Sequence, residues 1–140
     1  MKTYLEATEA AGARLFQRGI TGPVTMLNLL RLRELADYSD HPELAPAEPI
    51  TGRQAYQLYI EHTLPFLRAS GGELIYLGEG GPFLIGPEGD GWDLAMLVRQ
   101  DSLESFVAFA SNQEYLAGIG HRTAATWDSR IVPLVDQPLS

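Results

Sequence analysis

The run Trp92-Asp93-Leu94-Ala95-Met96-Leu97-Val98-Arg99 leads directly into Asp101-Ser102-Leu103-Glu104-Ser105-Phe106. The first stretch reads as a strand. In the second, Asp101 and Glu104 have the spacing of a capping pair, and Leu103, Phe106, Val107 and Ala110 recur at helical intervals. Asn112 offers a cap for a further helix running to about Ala125, and Trp127-Asp128-Ser129-Arg130-Ile131-Val132 closes as a strand. Strand, helix, helix, strand is one half of a sheet-and-helix domain.

The other half lies upstream. Thr3 and Glu6 form a T-x-x-E capping box, so the spacing predicts a leading helix over residues 3–19 that stops at Gly19. Val24 to Leu32 is apolar on both alternating faces: Val24, Met26 and Leu30 share one with Asn28, and Leu27, Leu29 and Arg31 share the other. A strand of that kind is covered on both sides. Residues 36–50 are rich in proline and acids and read as an exposed, mobile loop. Thr51 and Gln54 form a second box, opening a helix with Tyr56, Tyr59, Ile60, Thr63, Leu64 and Leu67 on its stripe. Pro65 should kink or restart this helix, and Ser70-Gly71-Gly72 should end it. Glu73–Leu77 and Phe83–Ile85 are extended, with a break at Gly78-Glu79-Gly80-Gly81-Pro82. The order predicts an α+β, ferredoxin-like βαββαβ domain with an antiparallel sheet, helices on one face and an extra N-terminal helix. A single domain over residues 1–140 is expected, with its core in 22–135.

Composition bounds the function. The 140 residues contain no cysteine, which excludes disulfides and thiolate chemistry, and carry a formal charge of −8. That charge argues against nucleic acid and against anionic membrane surfaces. No segment approaches the roughly 20 apolar residues of a membrane span, and the start has no signal-like run, so a soluble cytoplasmic protein is expected. His41, His62 and His121 show no metal-ligand spacing, and the glycine-rich segment lacks the lysine and following helix of a phosphate loop. Neither metal nor organic cofactor is implied, and no nucleophile elbow is present.

Four stretches carry a resemblance: VTMLNLLRLRELADY, TGRQAYQLYIEHTLPFLRASGGELIYLGEG, IGPEGDGWDLAMLVRQDSLESFVAFASNQEY and HRTAATWDSR. Together they resemble the family of unknown function numbered thirteen-thirty, within the dimeric α/β barrel superfamily, over roughly residues 22–135. The resemblance implies a ferredoxin-like subunit whose open sheet face meets a second copy. Superfamily relatives include cofactor-free monooxygenases, lactone isomerases and haem enzymes, with a pocket between sheet and helices. The family has no established activity, so no catalytic residue carries over. The leading helix and the 36–50 loop exceed the family's short form and are placed to cover the pocket or the barrel rim.

Five residues are candidates for ligand binding. Asn28 is a polar amide on an apolar strand face; it either orients a substrate carbonyl or ties off a neighbouring element. His121 and Arg122 either bind an anionic ligand, satisfy carbonyls at the helix end, or pair with Asp128. Tyr59, like Tyr56, lies on an apolar stripe where a phenol needs a partner. Trp92 shares an alternating face with Leu94, Met96 and Val98, and serves packing or stacks a flat ligand. His62 reads as a surface helix position. Two functions follow: a small cofactor-independent enzyme, monooxygenase- or isomerase-like, acting on a small organic molecule, or a non-catalytic dimeric module that binds a small ligand or only assembles. Apolar residues on both sheet faces predict a homodimer.

Overall fold

The computed structural model describes residues 2–139. The elements are α1 (Glu9–Gln17), β1 (Val24–Leu32), α2 (Gly52–Ala69), β2 (Glu73–Pro82), β3 (Gly91–Gln100), α3 (Leu103–Ala110), α4 (Gln113–Leu116), α5 (Gly120–Ala125) and β4 (Thr126–Leu134). The strands form one antiparallel sheet in the order β2-β3-β1-β4. This is the ferredoxin-like α+β fold, with β1 and β3 at the centre of the sheet.

The inner sheet face is Val24, Met26, Asn28 and Leu30 of β1, flanked by Leu94 and Met96 of β3 and Ser129 and Ile131 of β4. Helix α2 packs on it through Ala55, Tyr56, Tyr59, Ile60, Thr63 and Leu67, which recur at turn-length intervals along one side. The Thr51–Gln54 capping box closes reciprocally and fixes the start of α2. Pro65 neither ends nor restarts the helix, which continues to Ala69. It lies one turn before the end, where Gly71 at φ 89° and Gly72 close the chain back onto the last carbonyls.

Four boundaries differ from the sequence expectations, each for a physical reason. The leading helix starts at Glu9 under a Thr8 cap, not at Thr3, because the chain before it is held extended against β4. There Tyr4 N–H donates to Asp128 Oδ1, and Ser129 N–H donates to the Tyr4 carbonyl. Helix α3 is capped by Ser102 with Ser105, one position beyond the Asp101–Glu104 pair. Asn112 caps only the single turn α4, and the chain turns at Gly118 before α5 begins. A Cβ at Gly118 would collide with the His62 ring, so the break is the way His62 reaches the α4 carbonyls of Glu114 and Tyr115. Strand β2 runs straight through Gly78, Gly80 and Gly81 as one ten-residue strand, while Phe83–Ile85 lies outside the sheet. A side chain at Gly80 would strike the Trp92 carbonyl, so that glycine permits close pairing rather than a break.

The loop over residues 36–50 contains one short 3-10 turn, Pro42–Leu44. Its neck is tied down: Ala36 N–H donates to the Ile50 carbonyl, Asp37 N–H to that of Ala124, and Ala36, Tyr38 and Ile50 pack against the core. No helix among the described residues is long and apolar enough to cross a membrane.

Candidate functional site

Between the inner sheet face and the helices lies a cavity of about 470 Å³. Its apolar end is built by Leu64 and Leu67 of α2, Leu74 of β2, Val98 of β3 and Phe106 of α3. Gln100 lies there too, but Ser70 and Ser105 satisfy its amide at 3.0 and 2.9 Å, so it acts as a structural strut.

The other end is polar. Tyr59 Oη and Tyr115 Oη are 2.8 Å apart, and the Tyr56 phenol lies 4.0 Å from the Met96 sulfur. Burial pushes the Tyr56 and Tyr115 phenols up; the neighbouring Tyr59 adds to this, and the Arg122 charge opposes it without overcoming it. Both phenols stay neutral and serve as hydrogen-bonding groups. Asn28 Nδ2 donates to the Met26 carbonyl at 3.1 Å, within its own strand, and its Oδ1 accepts nothing among the described residues. Arg122 of α5 donates through Nη1 to the Leu5 carbonyl at 2.9 Å and through Nη2 to Ser129 Oγ at 3.2 Å. Thr63 Oγ1 is buried in the wall without a partner.

The segment Leu5-Glu6-Ala7 crosses the cavity and lines it. It is held there by the Arg122–Leu5 bond, by Ser129 Oγ donating to the Tyr4 carbonyl at 2.7 Å, and by the Tyr4–Asp128 bond. The residues ahead of α1, rather than α1 itself or the 36–50 loop, form this cover.

The five sequence candidates divide. Asn28, Tyr59 and Arg122 meet at the cavity; His121 and Trp92 do not line it. His121 Nδ1 lies 2.7 Å from the Tyr38 hydroxyl, so it belongs to the neck of the loop, and burial, reinforced by His62, holds its pKa down. Trp92 turns away from Leu94 and Met96: its ring centroid is 4.1 Å from the Arg31 guanidinium carbon and 5.2 Å from that of Arg130. Alternation fails there because the β1–β3 ladder ends at Leu30–Leu94 and Asp93 Oδ2 takes the Leu32 N–H. Asp128 pairs with Arg31 and Arg130, not with His121 or Arg122. Sequence reading missed Tyr115, Leu5 and the unbonded state of Thr63. Thr63 carried the same signal as Asn28, a polar group inside an apolar stripe. Among the described residues no cluster of His, Asp and Glu is arranged to hold a metal ion.

The RPA0582 protein of Rhodopseudomonas palustris, a protein of unknown function, is 31% identical and superposes with a TM-score of 0.83, 99% of each chain being covered. A second crystal structure, of the methylated RPA0582 protein, gives 30% identity and a TM-score of 0.86 over 99% of this chain and 98% of that one. The chain belongs to the RPA0582 family. A dimeric protein of unknown function with a ferredoxin-like fold from Bacteroides fragilis is more distant, at 16% identity and a TM-score of 0.48 over 80% of this chain and 94% of that one. No family model and no curated protein matches the chain. For the RPA0582 family, the near-complete coverage means that residues 4–7, which form a strap over the cavity, the cavity walls and the 36–50 loop all fall within the shared length.

Proposed function

We propose that the chain is a homodimeric binding protein for a small, largely apolar molecule held in the cavity between sheet and helices. The observation that carries this reading is the cavity itself: about 470 Å³, mostly apolar, with a few polar groups gathered at one end. Small-molecule sites have this form and occupy roughly 300–1,000 Å³. Binding is favoured over turnover because His121, the strongest acid–base candidate in the sequence, is engaged with Tyr38 outside the cavity. The Tyr115 phenol inside is held neutral by burial. The homodimer is supported by the outer sheet face, where Leu27, Leu29, Ala95, Leu97 and Val132 adjoin across three strands. Closure of two such faces into a barrel is what the resemblance to the family numbered thirteen-thirty implies.

The test uses Nile red, a neutral dye that fluoresces in apolar surroundings. It should bind saturably, one per chain, and Ala110→Phe, which fills the cavity wall, should weaken it by about tenfold or more while the fold melts cooperatively. A protein that does not bind the dye, or a variant that binds it equally well, would defeat the reading.

A further inference from the structure

Arg122 stands in the cavity wall with its charge unanswered. The Leu5 carbonyl and Ser129 Oγ, to which it donates, are neutral, and it forms no ion pair among the described residues. The guanidiniums of the sheet are arranged differently. Arg31 pairs with Asp90 and Asp128, Arg130 with Asp128 and Arg99 with Asp101. Withdrawing a cation from water without a counter-charge is unfavourable, and the low polarity that makes it so strengthens any anion that arrives. The other polar groups lining that end of the cavity, the Asn28 amide and the paired phenols of Tyr59 and Tyr115, are neutral, as is the Tyr56 phenol beside Arg122. Glu6, the one carboxylate in the lining, is exposed and makes no bond to Arg122.

A second polar group of the wall is also unsatisfied. Thr63 is 8% exposed, lines the cavity one turn beyond Tyr59, and its hydroxyl has no partner. A helical threonine ordinarily bonds back to a carbonyl of the preceding turn; this one makes no such bond, so its hydroxyl stands buried and unsatisfied in the wall.

Resting on the binding reading above, we propose that the ligand is an amphiphilic carboxylate. Its anionic end sits at Arg122, and its aryl or alkyl body lies along Leu64, Leu67, Leu74, Val98 and Phe106. The planar guanidinium fork matches a carboxylate in geometry as well as charge. The apolar end offers such a group nothing, so the ligand has one orientation.

Displacement of Nile red by matched pairs tests this: octanoate against octanol, and phenylacetate against phenylethanol. In the wild type each acid should displace the dye at a concentration about tenfold or more below its alcohol. Arg122→Gln should bring that ratio to about one, and Arg122→Lys, which keeps the charge, should restore part of it. The ratio is taken within each protein, so a general loss of affinity does not imitate the result. A wild-type ratio near one with the dye bound overturns the carboxylate assignment and leaves the cavity standing, as does a ratio that survives Arg122→Gln. Failure of the dye to bind at all removes the cavity reading and this inference together.

Discussion

Thr63 shows what a single residue in this wall does. Its hydroxyl is buried and unbonded, so it carries a desolvation cost with no compensating partner. Thr63→Val keeps the shape and removes the polar atom. The unliganded protein should therefore be unchanged or more stable, by up to about 1 kcal/mol, in a urea melt. A loss of more than about 1 kcal/mol would mean that the hydroxyl has a partner after all. Asn28 is the counterpart that the sequence did reveal: an amide on a strand whose other inner residues are Val24, Met26 and Leu30 stands out by composition alone. The turn of Trp92 toward Arg31 was hidden, because strict alternation is only a rule for as long as both ladders continue.

At the scale of elements, the local signals were strongest where nothing distant competed. The Thr51–Gln54 box was legible because both ends of the motif are free to close on each other. The same motif at Thr3–Glu6 failed because Tyr4 is claimed by a strand more than a hundred residues away, with Asp128 124 positions on. No window of local sequence contains that competitor. The strap it creates hangs on Asp128. Burial pushes the Asp128 carboxyl up, but hydrogen bonds from the Tyr4 and Ser129 amides and the Arg130 guanidinium outweigh this and hold it below its usual value. A lowered folded-state pKa means that Asp128 contributes stability above the ordinary carboxylate range and loses it as pH falls through the lowered value. The depressed His121 acts separately and earlier: its contribution to stability falls away as pH drops below its ordinary value of 6.5. Asp128→Ala should cost about 3 kcal/mol at neutral pH, since it leaves the buried Arg31 with Asp90 alone and strips the Tyr4 and Ser129 amides of their acceptor, and the cost should shrink toward roughly pH 3. Paired urea melts at the two pH values check this. A pH-independent difference would place the stabilisation elsewhere.

At the scale of the whole molecule, the sheet has two apolar faces and the subunit's helices cover one. Tyr76, Val132 and Leu134 on the outer side remain 56%, 45% and 39% exposed. The doubly apolar strand in the sequence announced this, since its Leu27 and Leu29 had to meet something. If a second copy covers the face, the interface should bury on the order of 2,000 Å². Light scattering should then give a dimer at micromolar concentration, and Leu97→Glu, at the centre of the face, should give a monomer. A monomeric wild type would rule the dimer out.

The strap that crosses the cavity also sets an order of assembly. Tyr4 and Ser129 are 125 positions apart, so at typical elongation rates the first leaves the ribosome on the order of ten seconds before the second exists. Until β4 arrives, β1 lacks one neighbour and residues 4–7 have nothing to lie against. Phe106, Tyr115, Arg122 and Ile131 of the walls are made late as well, so walls and cover are completed together at the end of synthesis. The N-terminal segment must therefore wait, unpaired, for the last strand before it can lie against the cavity, and a chain stopped short of β4 would hold neither in place.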